Sequence, residues 1–107
     1  MGKEAMQVSE KVYSIEELSD IMGPIIKKYK ASKAVLFGSY ARAEADKDSD
    51  IDVMIVGGQT FSPTDVFCIA DELNRIANKK VDVYEETEID HQSSFYNAIM
   101  SEGIEIA

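Results

Sequence analysis

Apolar residues recur along the chain with two periods, and the switches between them mark out the elements. In SIEELSDIMGPIIKKYK, positions 14–30, Ile15, Leu18, Ile21, Met22, Ile25 and Ile26 fall at helical spacing. Ser14 and Glu17 stand as in a capping box and predict the first turn. Lys27, Lys28 and Lys30 suit the carbonyl end. Pro24 cannot donate to the preceding turn and predicts a bend or a division. KAVLFG is a short apolar run closed by Gly38 and reads as a strand. SYARAEA, rich in helix formers, predicts a short helix, and DKDS a polar turn. DIDVMIV is a second strand, ended by Gly57 and Gly58.

SPTDVFCIADELNRIAN carries the clearest helical pattern. Ser62 is expected as N-cap, Pro63 as the first helical residue and Asp65 in the first turn. Val66, Ile69, Ala70, Leu73, Ile76 and Ala77 form its buried stripe. KVDVYE is a third strand. DHQSSFYNAIMSEG is a last helix, capped by Asp90 and stopped by Gly103, and IEIA adds a short edge strand. The first dozen residues have no period and are expected to fray. The order predicts an α+β protein, a layered sheet with helices packed against it. Strand order is not fixed by the pattern.

A chain of 107 residues sets one domain, 1–107, with one core. Its 45% apolar and 29% charged residues are ordinary for a folded protein. The net charge of −9, from 20 acidic and 11 basic residues, argues against a long nucleic acid as partner. It leaves a nucleotide open, because a divalent metal reverses the local field, and it suits a basic protein partner. The single cysteine, Cys68, excludes an intrachain disulfide and falls in a helical apolar pattern that assigns it to the core. No apolar run approaches the ~20 residues that cross a bilayer, and the start lacks a secretion signal's apolar core, so no membrane association and a cytoplasmic location are expected.

Candidate chemistry gathers around VLFGSYARAEADKDSDIDVMIV. Residues two apart on a strand share a face, so Asp50 and Asp52 project together while Ile51, Val53 and Ile55 pack the core. Paired carboxylates repel unless one takes a proton or a cation sits between them. Oxygen ligands with open positions favour Mg²⁺, completed by waters and phosphate oxygens. Asp82 alternates with Val81 and Val83 on the third strand. It reaches the same point if that strand neighbours the second. Three carboxylates around Mg²⁺ suit phosphoryl or nucleotidyl transfer. Gly38 and Ser39, between a strand and an expected helix, offer backbone N–H groups to phosphate. Arg42, three residues on, is placed to clamp a phosphate with its guanidinium. Asp46 and Asp48 read as turn residues, His91 as a cap or surface residue, and Tyr40 and Tyr84 as packing or lining residues. Gly-Ser, ten residues, then Asp-x-Asp arises by chance in a chain of this length at about one in a thousand.

GSYARAEADKDSDIDVMIV resembles the signature of the DNA polymerase β-like nucleotidyltransferase superfamily, in its small branch of minimal nucleotidyltransferases. The likeness runs from about Val35 to Tyr84. It implies a nucleotidyltransferase fold, a small mixed β-sheet flanked by helices. It implies that Asp50, Asp52 and Asp82 are catalytic and bind Mg²⁺, and that Gly38 and Ser39 hold the triphosphate of ATP or another nucleoside triphosphate. Members of this branch are often paired with a small helical protein of the HEPN class in toxin–antitoxin systems. There AMP is transferred to a tyrosine of the toxin. The family usually has glycine after the arginine, where this chain has Ala43. Alanine at a positive φ costs about 1 kcal/mol.

Two functions are therefore expected as rivals. One is an Mg²⁺-dependent enzyme moving AMP to a protein hydroxyl. The other is a binding module of the same fold that masks its partner without chemistry. The short chain leaves little room for a base pocket, so help from a partner or a second copy in a homo-oligomer is expected. Small-molecule transfer is a weaker third option, because relatives of that kind carry a further domain.

Overall fold

A computed structural model describes residues 10–107. The expected fraying of the first dozen residues therefore lies, for positions 1–9, outside the described residues. Helix α1 spans Ile15–Lys28, strand β1 Lys33–Phe37 and strand β2 Ile51–Val56. Helix α2 spans Asp65–Ala77, strand β3 Val81–Glu85, helix α3 Ser94–Glu102 and strand β4 Ile104–Glu105. A 3₁₀ turn, Glu86–Glu88, follows β3.

The sheet order is β3-β2-β1-β4. β1 pairs antiparallel with β2 and with β4, while β2 and β3 run parallel. The expected mixed sheet flanked by helices is thus present. Alternation decides which residue goes to which face. Ala34, Leu36, Ile51, Val53, Ile55 and Val81 join Leu18, Met22, Ile25 and Ile26 of α1 and Ile69, Leu73 and Ala77 of α2 in the larger core cluster. Phe37 and Met54 look the other way and pack with Ile99 of α3. Among the described residues no helix is long and apolar enough to cross a membrane.

The capping box forms as expected. Glu17 N–H donates to Ser14 Oγ at 3.0 Å and Ser14 N–H donates to Glu17 Oε1 at 2.9 Å. Pro24 does not divide α1, which continues through it. Met22 before the proline and Ile25 and Ile26 after it are all buried in one core, so packing holds both halves across the missing donor. Ile15, expected in the buried stripe, is 40% exposed in the first turn.

Several expectations are corrected. SYARAEA forms no regular helix; positions 38–43 are turns. α2 starts at Asp65, not at Pro63. Before it, Asp65 N–H donates to Ser62 O and Val66 N–H to Pro63 O, which makes 62–64 a tighter turn than an α-helix. Cys68 is exposed. It lies one position, about 100° of helix rotation, from buried Ile69, and so leaves the face formed by Ile69, Leu73 and Ala77. Ile76, also expected in the buried stripe, is 52% exposed. Asp90 caps a turn, accepting from Gln92 N–H, and the N-cap of α3 is Ser93.

Candidate active site

The site is set by strand register. Asp52 opposes Phe37 of β1 on one side and Asp82 of β3 on the other. Because β2 and β3 are parallel and in register, Asp52 and Asp82 lie side by side on the face away from the main core. The start of β3 is pinned by α2: Asn74 Nδ2 donates to Val81 O at 3.0 Å, and Val81 N–H donates to Asn74 Oδ1 at 3.1 Å. Asp50 stands just before β2, two residues from Asp52.

Lys80 tempers this concentration of charge. Its Nζ lies 3.8 Å from Asp50 Oδ2 and 3.8 Å from Asp82 Oδ1. It shares the alternation of Asp82 two residues away, a signal the sequence offered and the reading passed over. Asp52 is still pushed up from its ordinary value near 3.8 to about 6. Burial is the main cause, followed by the negative charges of Asp82 and Asp50 and a hydrogen bond with Asp82, with Lys80 opposing them. Burial, then Asp82 and Asp52, raise Tyr84 as well.

Gly38 ends β1 directly above Asp52. Its φ is +74°, and a Cβ there would lie 2.4 Å from Asp52 Oδ2. Only glycine satisfies both the left-handed backbone and the close approach. The chain then makes one helical turn, with Arg42 N–H donating to Gly38 O at 3.1 Å. The turn closes by two bonds, Glu44 N–H to Ser39 O and Ala43 N–H to Tyr40 O, the pattern of a Schellman motif. Its left-handed residue is Ala43, at φ 60°. The expected helix of 39–45 is cut short here, because this motif terminates it after one turn.

Tyr40 is buried, and its hydroxyl accepts from Lys79 Nζ at 3.2 Å. Lys79, itself buried, also donates to Lys11 O at 2.6 Å. The loop after β1 is thereby tied to the loop before β3. Arg42 is not disposed on a helix beside Ser39 as expected. Its Nε lies 3.0 Å from Glu44 Oε1 and its Nη1 3.3 Å from Glu102 Oε1.

Gly38, Arg42 and Asp52 line one cleft of about 270 Å³ between the sheet and α3. Ser39 follows Gly38 in the chain, and Asp50 and Asp82 flank Asp52 beside the cleft. The sequence reading missed five lining residues, Phe37, Phe95, Ala98, Ile99 and Glu102. The last four come from α3, whose placement over this face is a tertiary fact with no local signal. A second cleft of about 260 Å³, under the other side of α3, is lined by Val35, Met54 and Met100 and holds none of Asp50, Asp52 and Asp82. Asp46 accepts from Asp48 N–H as a turn residue should, and His91 is exposed, stacked on Tyr96.

Among the described residues no three acidic, histidine or cysteine side chains converge into a preformed metal cage. The donor set still fits Mg²⁺. That ion is held by one or two carboxylates and completed by waters and phosphates. The register of Asp52 with Asp82 supplies such a pair.

Residues 9–107 match the family described as polymerase beta, nucleotidyltransferase. A candidate protein adenylyltransferase of Methanocaldococcus jannaschii is 37% identical over 70 residues, which span 65% of this chain and 75% of the relative. The fold is similar to that of a chain in a toxin–antitoxin complex crystallised with AMP-PNP, with a TM-score of 0.71, 18% identity and coverage of 83% of this chain and 72% of that one. It is also similar to a chain in a Shewanella oneidensis complex of a tri-AMPylated HEPN toxin with its MNT antitoxin. There the TM-score is 0.59 and the identity 18%, covering 86% of this chain and 71% of that one.

Proposed function

Since the chain belongs to the polymerase β nucleotidyltransferase family, we propose that it is an Mg²⁺-dependent enzyme that transfers AMP from ATP to a hydroxyl of a protein partner. The partner is a small helical protein of the HEPN type, and the chain acts as the antitoxin that silences it. The observation that carries this reading is the pairing of Asp52 with Asp82 beneath Gly38, with Asp50 beside them. The relatives' names support the acceptor class and the partner, and the complex with AMP-PNP supports a nucleoside triphosphate as donor.

Asp50, Asp52 and Asp82 would hold Mg²⁺. When bound, the ion neutralises charge that develops on the phosphate oxygens and makes a hydroxyl easier to deprotonate. The chain's own groups do the rest. Gly38, without a side chain, lets the triphosphate come close to the backbone of the loop, and Ser39 adds a hydroxyl donor. Arg42 presents a guanidinium at the rim of the cleft. The partner's hydroxyl oxygen attacks the α-phosphorus, the new O–P bond forms, and the bond to the β-phosphate oxygen breaks in line with it. Pyrophosphate leaves, and the hydroxyl proton passes to solvent.

A second reading, masking without chemistry, is favoured by one observation. Arg42 is held by Glu44 and Glu102, so phosphate has to compete for it. One experiment separates the two. Radiolabelled ATP, Mg²⁺ and the product of the neighbouring gene are incubated with the chain or with its Asp50→Asn, Asp52→Asn variant. Label on the partner only with the parent chain supports transfer. Unlabelled partner, neutralised equally by both forms, supports masking.

A further inference from the structure

Beside the carboxylates, Phe37 of β1, Tyr84 of β3 and Phe95 of α3 form a closed trio. Ring centroids are 5.6 Å apart for Phe37 and Tyr84, 5.6 Å for Phe37 and Phe95, and 5.4 Å for Tyr84 and Phe95. Every contact is tilted or edge-on, so no ring face is taken up by a parallel stack within the trio. Phe37 is buried, yet Phe95 stays 42% exposed. All three line the cleft that also contains Gly38 and Asp52. At about 270 Å³ the cleft is smaller than the ~300–1,000 Å³ that encloses a drug-sized ligand. It has room for one part of a nucleotide, with the remainder lying along its rim.

We infer that Phe95, set on Phe37 and Tyr84, is the stacking platform for the nucleobase, with the phosphates extending from it past Asp52 to the Gly38–Ser39 loop. The inference rests on the proposed function and assigns it a base site. An aromatic ring stacks any base on its π-face and so binds without demanding one base identity. Phe95 is therefore a binding residue that discriminates nucleotides from bare polyphosphates.

The test is calorimetric titration with Mg²⁺ present, using an ATP analogue with a methylene in place of the α,β-bridging oxygen, and separately inorganic tripolyphosphate. Phe95→Leu is expected to weaken the analogue by on the order of tenfold, to leave tripolyphosphate unchanged and to remain folded under the conditions of the titration. Phe95→Trp is expected to restore the affinity. Equal binding of the analogue by parent and Phe95→Leu overturns the base site, as does a defect seen only in the KM for the protein acceptor, which places the acceptor there instead. Failure of the parent to bind either ligand overturns the proposed function itself.

Discussion

Gly38 and Asp52 occupy each other's space: a single Cβ on the glycine would come within 2.4 Å of a carboxylate oxygen of the aspartate. The Gly38–Ser39 loop and the acidic pair are therefore one packed unit, and neither can be altered without the other moving. Gly38→Ala should lose stability twice, through the left-handed φ, worth about 1–2 kcal/mol, and through the clash. Thermal unfolding should show a lower Tm, and nucleotide affinity should fall with it. An unchanged Tm would mean that the loop is free to relax away from Asp52.

Asp52 predicts a pH dependence. Its carboxyl is raised from near 3.8 to about 6, with burial as the leading cause. Between those values the folded chain binds a proton that the unfolded chain has released, so stability falls as pH rises through the window. Without divalent metal, the parent should lose more Tm between pH 5 and pH 7.5 than Asp52→Asn does. Parallel losses in the two proteins would contradict the assignment.

Relief of repulsion gives a related expectation for the pair. In EDTA, Asp50→Asn combined with Asp52→Asn should fold at least as well as the parent, since the substitutions remove the repulsion of Asp52 with Asp50 and with Asp82. A lower Tm for the double variant in EDTA would show that the carboxylates are structural rather than poised for a cation.

Ala43 sits at φ 60°, the position of a Schellman motif that glycine normally fills. Ala43→Gly should stabilise the chain by about 1 kcal/mol, read as a higher urea midpoint with an unchanged slope. It leaves the three aspartates untouched, so any change in nucleotide affinity reports on the loop alone.

How far the sequence carried depends on which elements were local. The period of α1, the alternation of β2 and the capping box of Ser14 and Glu17 are properties of neighbouring residues, and each formed as expected. The grouping of Asp50 with Asp52 follows from the same alternation. The partnership of Asp52 with Asp82 does not, because parallel pairing joins strands separated by a whole helix, and only the observed register makes it. Helix propensity misled at SYARAEA, where residues that favour helix are stopped by a left-handed Ala43. It misled again at Cys68, where an apolar residue in a helical run points outward. Phe95 and Glu102 were invisible because α3 reaches the cleft through tertiary packing against Phe37 and Met54.

On the proposed function, Asp50, Asp52 and Asp82 together bind a divalent cation with a nucleoside triphosphate next to Gly38. Calorimetric titration of ATP into the full chain, with Mg²⁺ and then with EDTA, tests it most directly. Saturable uptake that needs Mg²⁺ and is abolished by Asp50→Asn with Asp52→Asn is expected. Uptake indifferent to Mg²⁺ or to that double substitution, or no uptake by the parent chain, would contradict it.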